Sequence, residues 1–82
     1  MSCAKSSGVD LSYTKLSYAN LSNADLSYAD LSYTKLSYAN LNGTDLSNAD
    51  LSYTSLNCVD FGNTKLSDTN LYDVNLSGTK LN

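Results

Sequence analysis

The 82-residue sequence contains no proline, tryptophan, histidine, arginine, glutamate, glutamine or isoleucine. Each absence excludes something. Without histidine there is no imidazole base and no histidine metal ligand. Without proline no backbone donor is removed, which suits a closed stack of hydrogen-bonded strands. The two cysteines, Cys3 and Cys58, are far apart in the chain and leave no zinc-binding set. Glycine is sparse, and Gly8, Gly43, Gly62 and Gly78 are scattered rather than gathered into a phosphate loop. Serine is abundant, but none has a candidate base beside it. No catalytic residue, metal or cofactor is therefore expected, and the chain reads as a non-enzyme.

Basic residues are also few. Five lysines face eight aspartates, for a net charge of −3 and a pI near 4.3. That balance disfavours direct nucleic-acid binding, which needs a basic patch to displace counterions. No apolar run approaches the length of a membrane span, and Met1–Gly8 lacks the apolar core of a signal peptide. The two thiols fit a reducing compartment, so a cytoplasmic location is expected.

What the sequence does contain is a unit of five. Leucine recurs at every fifth place from Leu11 to Leu81, with Phe61 as the one exception. Two residues before each stands a small or β-branched residue, from Val9, Thr14 and Ala19 through to Val74 and Thr79. A helix turns about 100° per residue, so leucines five apart would lie roughly 140° apart and form no stripe. A straight strand fails too, because five is odd and side chains alternate with period two. The chain must turn once per unit. Between turns the small residue and the leucine point inward and the residue between them points outward.

A longer period sets the number of units per coil. DLSYTKLSYANL occurs at 10–21 and again at 30–41, and DLSYT recurs at 50–54. A twenty-residue repeat means four units per coil, hence a four-sided solenoid with equivalent residues stacked about 4.8 Å apart. Val9–Tyr28, Ala29–Asn48 and Ala49–Asp68 read as full coils and Thr69–Asn82 as a partial fourth. Residues 1–8 keep the phase loosely and are expected as a loosely ordered start or cap, with the repeat proper at 9–82.

Units such as Ala19-Asn20-Leu21-Ser22-Asn23, Ala24-Asp25-Leu26-Ser27-Tyr28 and Ala49-Asp50-Leu51-Ser52-Tyr53 resemble the pentapeptide-repeat family. The likeness covers nearly the whole chain, from about Val9 onward. Departures are mild: threonine often replaces alanine, Phe61 replaces one leucine, and lysine often takes the Asp/Asn place. The resemblance implies an all-β fold, a right-handed quadrilateral parallel β-helix of about four coils. The right hand agrees with the rule for parallel strand connections.

The coil sorts outward residues into columns. One face carries Asp10, Asp30, Asp50 and then Asn70, with Tyr13, Tyr33 and Tyr53 beside them. The next carries Lys15, Lys35, Ser55 and Asn75, with Tyr18 and Tyr38. The third carries Asn20, Asn40, Asp60 and Lys80, and the fourth Lys5, Asp25, Asp45 and Lys65. The Asp–Tyr face is the candidate interaction face. Leu71, Leu76 and Leu81 in the last coil form a candidate end-to-end interface, because a coil end exposes strand edges and an open leucine core. The expected partner is a second copy, stacked end to end or paired through one coil end, or another protein.

Three functional readings compete. The first is a structural or interaction scaffold; so regular a sequence also suits a designed repeat or one cut from a longer repeat protein. The second follows from the resemblance: some family members mimic acidic DNA and bind DNA gyrase. DNA carries a charge about every 1.7 Å of axis, whereas one aspartate per coil is far sparser, and Lys15 and Lys35 adjoin that column. The third is ice binding, which needs outward rows of threonine, whereas the threonines here are expected inward.

Overall fold

The computed structural model describes residues 3–79, which form a right-handed quadrilateral β-helix measuring 27 × 22 × 21 Å. Its logic is visible in one unit, Thr14 to Tyr18. Thr14 and Leu16 point inward, Lys15 sits on the flat side, and Ser17 and Tyr18 make the corner. Stacked sides pair in parallel, twenty residues apart: Asp10 with Asp30, Lys15 with Lys35, Asn20 with Asn40, Asp25 with Asp45. The segment 3–8 carries the same pattern. Lys5 bridges Asp25, and the amides of Cys3, Ser6 and Gly8 donate to the carbonyls of Ser22, Asp25 and Ser27 at 2.9 Å.

The corner is a four-residue turn. Thr14 N–H donates to Leu11 O at 3.3 Å, and Tyr13, the third residue, has φ +64°. A closing bond with positive φ at that residue alone is the type II arrangement. The positive φ recurs at every corner from Cys3 to Gly78, and most of the residues held there are not glycine.

The core is a column of leucines. Leu21, Leu26, Leu31, Leu36, Leu41, Leu46, Leu51 and Leu56 are all at 0% exposure. Each contributes on the order of 1.5–3 kcal/mol by burial. Thr34, Thr44 and Thr54 are buried with them, so the threonines do point inward. They can replace alanine because each hydroxyl finds a leucine carbonyl: Thr34 donates to Leu31 O and Thr54 to Leu51 O at 2.7 Å, and Thr44 to Leu21 O at 2.8 Å. No buried polar side-chain atom among the described residues lacks a partner.

Burial depends on having a coil on both sides. Leu11, Leu16 and Leu66 are only partly buried, and Leu71 and Leu76 reach 38% exposure. The same residue in the same unit thus has a different energetic value along the axis. Leu46→Ala is expected to cost about 3 kcal/mol in equilibrium urea unfolding, and Leu76→Ala less than about 1 kcal/mol. Equal losses at the two positions would contradict a core built by coil-on-coil stacking.

Candidate functional site

The Asp–Tyr side is built by two local devices. The first is a turn in which the outward aspartate accepts from the serine two residues on. Asp10 Oδ1 takes the Ser12 N–H at 3.0 Å and the Ser12 hydroxyl at 2.7 Å. Asp30 with Ser32 and Asp50 with Ser52 repeat those distances. Asparagine does the same at Asn20, where Oδ1 accepts from Ser22 N at 3.1 Å and Oγ at 2.7 Å. The Asp/Asn place is therefore partly structural, since it bonds the one amide per unit that neither coil-to-coil pairing nor the corner turn can reach.

The second device is the tyrosine corner. Tyr13, Tyr33 and Tyr53 have φ values of 61–64°, a region that L residues enter at a cost of order 1 kcal/mol or more. The stack offsets part of that cost. Tyr13 and Tyr33 lie 4.8 Å apart at 2°, and Tyr33 and Tyr53 lie 4.8 Å apart at 9°. Such pairs contribute about 0.5–1.5 kcal/mol each beyond burial. A second stack, Tyr18 on Tyr38 at 5.1 Å, stands at the far edge of the lysine side. Below Tyr38 that column narrows to Cys58 and Gly78, where an added Cβ would meet Cys58 Sγ at 3.2 Å. Cys3 and Cys58 are both free and exposed.

The structure brings Asp10, Asp30, Asp50, Tyr13, Tyr33 and Tyr53 onto one side of the coil, as their spacing implies. It adds Tyr72. This residue occupies the serine place of its unit, below Ser12, Ser32 and Ser52, and its ring meets Tyr53 at 5.6 Å and 80°. The signal for it is a tyrosine one place early in Leu71-Tyr72-Asp73, a shift that only the fold converts into contact with the ladder. Leu71 and Leu76 are exposed at the coil end, while Leu81 lies outside the described residues. Among the described residues there is no cavity and no cluster that could hold a metal ion.

The electrostatics follow from these contacts. The Ser12 hydroxyl and amide hold Asp10 below its ordinary pKa of 3.8. Asp45 is lowered in the same way, first by the Ser47 hydroxyl and then by its amide, with Lys65 adding attraction. Partial desolvation pushes the Tyr33 phenol above its ordinary 10.0, and the Tyr13, Tyr53 and Asp50 charges push it further. A lowered carboxyl stabilises the fold above its ordinary titration range, and that contribution disappears as pH falls through the folded-state value. Carbon-detected NMR titration of Ser12→Ala is therefore expected to move the Asp10 pKa upward toward 3.8 while Asp45 stays put. An unmoved Asp10 would mean that the serine hydroxyl does not hold the carboxylate in solution.

Comparison with known proteins matches this geometry. The sequence profile for pentapeptide repeats, eight copies of the unit, matches residues 7–43, 31–68 and 44–82. A search of curated proteins finds no significant match. Among solved structures, the chain is similar to alr5209, a pentapeptide-repeat protein of Nostoc PCC 7120, with 30% identity and a TM-score of 0.82 over 96% of this chain and 77% of that one. It is similar also to Rfr23 of the cyanobacterium Cyanothece 51142, at 27% identity and a TM-score of 0.61, covering 96% of this chain and 58% of the other. HetL of Nostoc PCC 7120, a protein involved in the regulation of heterocyst differentiation, aligns at 28% identity and a TM-score of 0.50 over 99% of this chain and 46% of its own length. With the five-residue unit, the four-sided coil and the family profile in agreement, the chain belongs to the pentapeptide-repeat family.

Proposed function

We propose that this chain is a non-enzymatic interaction scaffold that docks a protein with a basic surface on its Asp–Tyr side. One observation carries the reading: Tyr33 and Tyr53 keep 45% and 44% exposure, and Tyr13 73%, although all three are locked in a parallel stack. Tyrosine combines large contact area with a hydrogen-bonding tip and is enriched at interfaces. Rings already fixed by the coil lose little freedom on docking. The adjoining aspartate column supplies charge for orientation and encounter rather than raw affinity.

The gyrase reading rests on family analogy and fits this charge pattern less well. The aspartates are one coil apart, about 4.8 Å, and Lys15 and Lys35 stand across the tyrosine corner from them. Self-association is a second reading, supported by the 38% exposure of Leu71 and Leu76. A second copy stacked on that coil would cover them, either in open head-to-tail order or as a two-fold pair.

Two measurements test these readings. A labelled lysine-rich peptide is expected to bind saturably by fluorescence anisotropy and to lose that binding in Tyr33→Asn/Tyr53→Asn; no binding, or binding indifferent to those changes, sinks the docking proposal. Light scattering on reduced protein is expected to show mass rising with concentration and returning to monomer in Leu76→Asp. A constant monomer mass would remove self-association through the coil end.

A further inference from the structure

The geometry points to a small-molecule site on the same side: we propose that the Tyr13–Tyr33–Tyr53 ladder and the Asp10–Asp30–Asp50 column bind a flat, elongated aromatic cation lying along the coil axis. The inference uses the side that the scaffold reading takes for docking, but it needs no protein partner, so the two stand or fall separately.

The ladder sets the shape of the ligand. Its two ring-to-ring steps are 4.8 Å each, and the planes depart from parallel by only 2° and 9°. The ring edges therefore form a straight row that a rigid planar molecule can cover in one pose. Edge-to-face contact between aromatic rings is a favoured geometry. A planar ligand also has few rotors to immobilise, so more of the contact energy appears as affinity. The row is bounded at one end by Tyr72, whose ring is turned 80° to Tyr53. A ligand about 10 Å long spans the three parallel rings, and that is the length of two or three linked aromatic rings.

The neighbouring columns set the sign. The aspartates flank the ladder on one side with three charges in register, Asp10, Asp30 and Asp50. Their Oδ1 atoms accept from Ser12, Ser32 and Ser52, which are neutral donors and do not cancel the charge. The field reaches the rings, because Asp50 is among the groups that raise the Tyr33 phenol. Across the corner stand two lysines and then Ser55. A planar anion would find two charges there, against three aspartates for a cation.

The probe is thioflavin T, a planar benzothiazole cation, titrated into the intact chain, with the mass of the species followed by in-line light scattering. Saturable emission enhancement from unaggregated protein is expected. Tyr33→Asn should weaken it at least about tenfold, which corresponds to about 1.4 kcal/mol. That variant keeps the corner, because Asn23, Asn48 and Asn63 already hold the equivalent place at φ 57–60°. Asp30→Asn should weaken binding while keeping the bonds from Ser32, as asparagine does in the Asn20–Ser22 turn. Added salt should weaken binding as well. The proposal is overturned if enhancement is absent or never saturates, if Tyr33→Asn leaves it unchanged, if it tracks only an aggregated fraction, or if an anionic stilbene disulfonate of similar length binds more tightly.

Discussion

Backbone pairing organises the molecule: in a central unit four of the five amides donate to backbone carbonyls, and the fifth bonds to the outward side chain where that is Asp or Asn. In the unit beginning at Leu11, the Leu11 and Tyr13 amides donate to the next coil, at Asp30 O and Ser32 O. The Thr14 amide closes the corner on Leu11 O. The Ser12 amide goes to the Asp10 side chain. The outward residue donates to the preceding coil, as Lys35 does to Thr14 O. Three of the five bonds thus run between coils, so no coil can satisfy its backbone alone. The leucine column adds a second reason to stack, because a leucine is fully buried only when a coil lies on either side of it.

That backbone scheme also decides which residues are free to vary. The inward positions must be apolar or, like Thr44, carry a hydroxyl that can reach a leucine carbonyl. The outward position prefers an acceptor for the amide two residues on, yet it admits lysine at Lys15, Lys35 and Lys65, where that amide gains no such bond from the side chain. The corner takes almost anything that tolerates positive φ: tyrosine, asparagine, aspartate, cysteine or glycine. Stacking favours repeating a choice down a column, because a tyrosine above a tyrosine gains a ring contact that a mixed pair does not. Flat, repetitive surfaces are a physical consequence of the coil before they are a property of any function.

Function therefore has to be sought in the outer columns. The described residues enclose no cavity in which to concentrate chemistry, and Asp10, Tyr33 and Asp45, whose pKa values are altered, sit on the outer surface, each shifted by its immediate neighbours. What the surface does provide is order. Aromatic rings and carboxylates are held at a fixed repeat by the backbone beneath them, and such preorganisation lowers the entropic cost of recognition without a pocket. This chain spans 77% of one relative of known structure and 58% of another.

The sequence by itself determined the coil. A five-residue apolar period is incompatible with a helix stripe or a flat strand, and a twenty-residue repeat leaves four sides, so fold, core and face membership were legible from Leu11 to Leu76. The composition of the Asp–Tyr side was legible for the same reason. The role of the aspartates was not: a charged column reads as open surface until the Ser12, Ser32 and Ser52 donors are seen to occupy it. Nor was the left-handed conformation of the tyrosine corner, because local preference argues against tyrosine there, and the stacking that offsets part of the cost lies between coils. Tyr72 makes the same point, since its place in the unit differs from that of the other tyrosines, and its ring joins their ladder only because the coil sets one unit over another. Periodicity is a one-dimensional property and survives in the sequence, the pairing of residues twenty apart included; contacts between residues at different places in the unit, such as Tyr72 on Tyr53, depend on how one coil is set over the next, and so only the tertiary structure decided them.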